Sequence, residues 1–110
     1  MSLLHKDLAA GRWKELSFLE QMANIAGEVE RALNWRTKQN KVYSQKAFER
    51  ALEPVDLTLE DAGSFPRLKE LARVRESLVD YFSGSNQFKS SDVSLRKYFA
   101  PFTYAARRNY

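Results

Sequence analysis

Apolar residues recur at helical spacing in four stretches of the chain, separated by short polar runs. In the first, Ser17-Phe18-Leu19-Glu20 has the form of a capping box, in which the Ser17 hydroxyl accepts from the Glu20 amide while Glu20 reaches back. Phe18, Leu19, Met22, Ile25, Ala26, Val29 and Leu33 then fall on one side of a helix, in steps of three and four that suit a nearly antiparallel neighbour. The polar run Thr37-Lys38-Gln39-Asn40 ends this helix, which gives it about 20 residues and a length of about 30 Å.

A second helix is expected from Ser44 as cap, because Tyr43 before it and Phe48 within it have the spacing of a hydrophobic staple. Ala47, Phe48, Ala51, Leu52 and Val55 form its buried stripe, which Leu59 can extend. Pro54 lies inside that pattern, deletes one backbone hydrogen bond and crowds the Arg50 carbonyl, which predicts a kink or break between Glu53 and Leu57. A loop follows at residues 61–66, with Pro66 in the first turn of a third helix that runs to Phe82. Its apolar side is Leu68, Leu71, Val74, Leu78, Val79 and Phe82, and Arg75 falls within the stripe. A charge so placed must pair or snorkel outward, and Glu30 at the edge of the first stripe is the expected partner. Ser83-Gly84-Ser85-Asn86 stops the helix, and Ser90 or Ser91 caps a fourth. There Leu95, Tyr98, Phe99, Phe102, Ala105 and Ala106 share a face, with Pro101 as a second kink or break. Residues 5–14 form a short leading segment that docks Leu8 and Trp13.

The fold class that follows is all-α: a small bundle of four principal helices with proline kinks or breaks and a short N-terminal docking segment. At 110 residues the chain fits one core. Met1-Ser2-Leu3 reads as a vector-derived leader, which leaves residues 4–110 as a single helical domain. The stretches LSFLEQMANIAGEVERALNWR (16–36), KAFERALEPVDLTLED (46–61), RLKELARVRESLVDYF (67–82) and SLRKYFAPFTYAARRN (94–109) resemble a family of short, uncharacterised prokaryotic helical proteins. The resemblance implies a small helical fold and transfers no catalytic or binding residue.

Composition removes most chemistry. With no cysteine there is no disulfide framework, thiolate metal site or thiol nucleophile. His5 is the one histidine, and the four glycines are too scattered to cradle a phosphate, so no catalytic residue, cofactor or metal ligand is assigned. Ser94 and Lys97 have Ser-x-x-Lys spacing without the companion elements of the enzymes that use it, and Ser94 reads as a first-turn residue. Glu49 with Glu53, and Glu76 with Asp80, are carboxylate pairs one helical turn apart; they read as solvated faces, with magnesium-dependent chemistry a distant alternative. No stretch approaches the roughly 20 apolar residues that cross a bilayer and no secretory signal is evident, so no membrane association and a cytoplasmic location are expected.

The net charge is +4, and residues 84–110 hold five cations against one acid. This asymmetry makes nucleic-acid binding through the C-terminal helix the alternative reading, with Tyr104 amid Lys97, Arg107 and Arg108 as its candidate residues. The favoured reading is a non-enzymatic interaction or assembly module that self-associates, most simply as a two-fold dimer. Trp35 lies far from its helix's apolar stripe, beside Arg31 and Lys38, and either packs under residues 5–14 of its own chain or meets a second subunit; on the second reading it marks, with Trp13, the candidate interface.

Overall fold

The computed structural model describes residues 11–108; Met1, Ser2, Leu3, His5 and Leu8 lie outside them. Within that range the regular elements are a 3₁₀ turn, Arg12–Glu15, and four helices: α1 (Phe18–Thr37), α2 (Lys41–Glu60), α3 (Phe65–Ser83) and α4 (Asp92–Arg108). The bundle is all-α, with a radius of gyration of 13.6 Å.

Local chemistry sets most boundaries. Both halves of the Ser17–Glu20 capping box are made, at 3.1 and 3.0 Å. At the other end of α1 the Gln39 amide donates to Arg36 O and the Asn40 amide to Trp35 O, the paired bonds of a Schellman turn. Gln39 supplies its left-handed residue, with φ 62°. That compact reversal brings α2 in earlier than expected: the helix begins at Lys41 with Asn40 as cap, its side chain accepting from the Tyr43 amide. Ser44 is therefore a buried residue of the first turns, and its hydroxyl donates to Ala32 O across the α1–α2 seam at 3.0 Å. Ser64 caps α3, with Pro66 in its first turn. Ser91 opens α4, accepting from the Ser94 amide while its own amide donates to Ser94 Oγ.

Neither proline interrupts its helix. Helical structure is continuous through Pro54 and Pro101, so the breaks allowed by the sequence do not occur. Pro54 is fully buried, and Thr58 one turn later donates its hydroxyl to Pro54 O at 2.7 Å while accepting the Trp13 indole N–H at 2.9 Å. The core contacts around this turn hold the helix together where the missing backbone bond alone would loosen it.

Packing is unequal around the bundle. α1 lies between α2 and α4, and α3 packs on α2, whereas the backbones of α3 and α4 stay further apart. The core runs along α1 through Met22, Ile25, Val29 and Leu33 and is completed by Phe48, Val55, Leu71, Leu78, Leu95 and Phe99. Each such side chain contributes roughly 1.5–3 kcal/mol by leaving water. This arrangement corrects the expected Arg75–Glu30 pair. Arg75 faces α2 and donates to Asp56 at 2.7 Å, with its side chain 42% exposed. Glu30 faces α4 and takes both its oxygens' bonds from Arg96 Nε at 3.0 Å. Because α1 has α4 rather than α3 on that flank, the two residues have separate partners.

Candidate interaction site

Where α3 and α4 fail to close, a groove of about 570 Å³ remains. Its floor is apolar, built by Val74 and Leu78 of α3 and Leu95 and Phe99 of α4, all of which also belong to the core. Two tyrosine–carboxylate bonds tie the helices together on either side of it. Tyr98 of α4 donates its hydroxyl to Glu70 Oε1 of α3 at 2.6 Å, and Tyr81 of α3 donates to Asp92 at the start of α4. From Glu70 to Tyr81 is about 16 Å along the helix axis at 1.5 Å per residue, or three turns. Burial, then the bond to Glu70 and its negative charge, push the Tyr98 hydroxyl well above the ordinary tyrosine range. The same causes, with Asp92 as partner, raise Tyr81. Both phenols are thus firmly protonated at neutral pH, which suits a strap and not a base or nucleophile.

The mouth of the groove is cationic. Lys69 and Arg73 line it from successive turns of α3, and the one acid in the lining, Glu70, is engaged by Tyr98. At one end the wall is aromatic: Tyr98 meets Phe102 at 5.7 Å, Phe102 meets Phe18 edge-on at 6.4 Å, and the Arg67 guanidinium lies 4.4 Å above the Phe18 ring. Ser77, Ser90 and Ser94 line the remainder. Ser94 Oγ donates to Ser91 O and accepts from the Ser91 amide, so its hydroxyl serves the helix cap.

The residues singled out from sequence are dispersed. Trp13 is 1% exposed and is held by Thr58 and by Gln21, whose carboxamide donates to Trp13 O at 2.9 Å. It is a core residue and presents no interface. Trp35 lies near the α1–α2 turn, edge-on to Tyr43 at 4.8 Å with the Lys38 ammonium 5.1 Å from its ring, while Trp13 docks against the other end of α2. The pair therefore forms no joint patch. Arg31 is exposed on α1. Tyr104 is 64% exposed and shares a cleft of about 570 Å³ between α1 and α4 with Arg107 and Glu30. The Arg108 guanidinium lies 5.9 Å from the Tyr104 ring, and Lys97 is exposed on the same helix.

Sequence reasoning missed the groove and its straps. Tyr98 was legible as a stripe residue, but its hydroxyl needs an acceptor when buried, and Glu70 just off the α3 stripe was the available signal. Among the described residues no group of three metal-ligating side chains converges, and no helix is long and apolar enough to cross a membrane. Asp80 is committed to the loop after α3, its carboxylate accepting from the Gln87 and Phe88 amides at 2.8 and 3.0 Å. Compared with protein families, curated proteins and solved structures, the chain finds no match.

Proposed function

We propose that this chain is a non-enzymatic protein-interaction module whose working surface is the α3–α4 groove. The observation that supports this reading is the groove itself: the backbones of α3 and α4 stay apart, and between them lies a largely apolar lining under a cationic mouth. A groove about three turns long suits an amphipathic helix that packs two or three apolar side chains against the Tyr98 ring and the edges of Val74 and Leu95. Lys69 and Arg73 select a helix with acidic residues beside its apolar stripe. The protonated tyrosine straps and the capped Ser94 support binding over catalysis.

Titration of the ¹⁵N-labelled protein with a Leu/Glu amphipathic peptide tests the reading. Shifts are expected at Val74, Ser77, Leu95 and Tyr98, and the Lys69→Glu, Arg73→Glu double variant should prefer a Leu/Lys peptide instead. An absence of groove shifts at millimolar peptide would reject the site. Self-association is the competing use of the groove. It would appear as the same shifts on concentrating the protein alone, with a light-scattering mass above 12.8 kDa.

A further inference from the structure

A second surface lies where α1 reverses into α2, and it meets the groove's Tyr81 strap through Arg36, whose guanidinium is 4.4 Å above the Tyr81 ring. From Arg31 to Phe48 the chain carries five cations, Arg31, Arg36, Lys38, Lys41 and Lys46, and no acid. The Schellman turn folds this run back on itself, so its charges collect at one end of the bundle. Their placement opposes the stability of α2. Its first turn holds Lys41 and no acid, although the positive end of the helix dipole favours the reverse. Two acids, one in α3 and one in α4, have partners of their own. Asp80 is bonded to the amides of residues 87 and 88, and Asp92 accepts from Tyr81.

This end also has the shape and rings of a binding surface. A cavity of about 780 Å³ opens there, and its charged lining residues are Arg36 and Lys41, both cationic; Gln39 and Gln45 add carboxamides and Phe82 a ring. Within the run and outside the cavity, Tyr43 is 49% exposed and packs edge-on against Trp35, with the Lys46 ammonium 5.9 Å from the Tyr43 ring and the Lys38 ammonium 5.1 Å from the Trp35 ring. Cations that follow a strand's phosphates, interleaved with rings on which unpaired bases stack, are the physical requirements for single-stranded nucleic acid. A duplex would leave the rings without a base to stack on, and a flat lipid surface cannot enter the cavity.

We propose that the α1–α2 turn binds single-stranded nucleic acid, with phosphates on Arg36, Lys38, Lys41 and Lys46 and a base on Tyr43. The assignment moves the nucleic-acid surface from the C-terminal helix to the opposite end of α1.

Fluorescence anisotropy of the full chain with a labelled 20-nucleotide oligo-dT tests it. Binding should weaken with salt by about 0.7 decades per decade of salt for each phosphate contact, about three in all. The Lys38→Glu, Lys41→Glu, Lys46→Glu variant changes exposed side chains only and should lose at least tenfold in affinity with an unchanged circular-dichroism spectrum. Arg107→Glu with Arg108→Glu should stay within twofold. Tyr43→Ala should weaken binding roughly tenfold without altering the salt slope, since stacking releases no counterions, and Tyr43→Phe should restore it. The proposal is overturned by no binding at 50 mM salt, by equal binding of duplex, by capture on anionic phosphatidylserine vesicles without oligo-dT binding, or by loss that follows the C-terminal variant instead.

Discussion

The α1–α2 and α3–α4 seams are built from helices of similar length and opposite design. Ala26, Ala32, Ala47 and Ala51 are buried on α1 and α2, whereas α3 and α4 bury no alanine. Small residues let backbones approach, as the Ser44 hydroxyl reaching Ala32 O demonstrates. On the facing sides of α3 and α4 stand Glu70, Arg73, Tyr98 and Phe99, too long or too polar to interdigitate at that spacing. One seam closes through packing and the other is bridged by two hydrogen-bonded straps. A helix pair held by straps leaves a groove between its backbones while the deepest side chains, Val74, Leu78, Leu95 and Phe99, stay buried in the core.

The sharpest way to break this contrast is to place the same bulk in each seam. Ala51 is fully buried between the close-packed helices, so Ala51→Leu should destabilise by about 1–3 kcal/mol through overpacking. Ser77→Leu in the open groove has room and should leave stability nearly unchanged while abolishing binding of the Leu/Glu peptide. Urea denaturation of both variants measures the difference; equal losses would mean that the α3–α4 seam is as tightly filled as the other.

A smaller effect probes the straps. Tyr98 has its folded pKa raised above the unfolded value of 10.0 by burial and by Glu70, so the contribution from its protonated form is fully present below pH 10. It is lost as pH rises through the folded value, because the unfolded chain ionises first. Stability should therefore be insensitive to tyrosine titration near neutrality and fall in strongly alkaline solution. Tyr98→Phe should make that alkaline fall shallower, with Tyr81, also raised, retaining part of it. A fall of the same steepness in the variant would show that the Tyr98–Glu70 bond does not hold the seam in solution.

Helix periodicity carried the architecture because each stripe is a local property of its own sequence. Met22, Ile25, Val29 and Leu33 are buried where spacing put them, and the Ser17–Glu20 cap formed as written. What the pattern could not convey was which helix faces which. Glu30 stands at the edge of its stripe and Arg75 within its own, but their partners depend on α1 neighbouring α4 and not α3. Trp35 illustrates a different gap: its angle off the stripe was readable, yet its cover is Tyr43, brought over by a reversal that depends on Gln39 in a left-handed conformation. The acid-free run from Arg31 to Phe48 was present in the letters, but it straddles the α1–α2 turn and disappears when charge is counted separately on either side of residue 40. A charge pattern becomes visible as a surface only after the turn folds its two halves together.

The smallest predicted effect concerns the ion pair that the topology reassigned. Had Arg75 been buried against Glu30, truncating it would orphan a carboxylate and cost about 3–5 kcal/mol. The Arg75–Asp56 pair instead joins α3 to α2 with side chains 42% and 49% exposed, where water solvates either partner left alone. Exposed pairs contribute about 0–1 kcal/mol, and Arg75→Ala should fall within that range, losing mainly the packing of its methylene stem on α2. Adding 1 M salt should remove most of the remaining difference between wild type and variant, because screening acts on exposed charges and not on apolar contacts. A loss above 3 kcal/mol that survives high salt would place Arg75 in a buried pair after all, and would require α3 to sit against α1, closing the seam that the groove depends on.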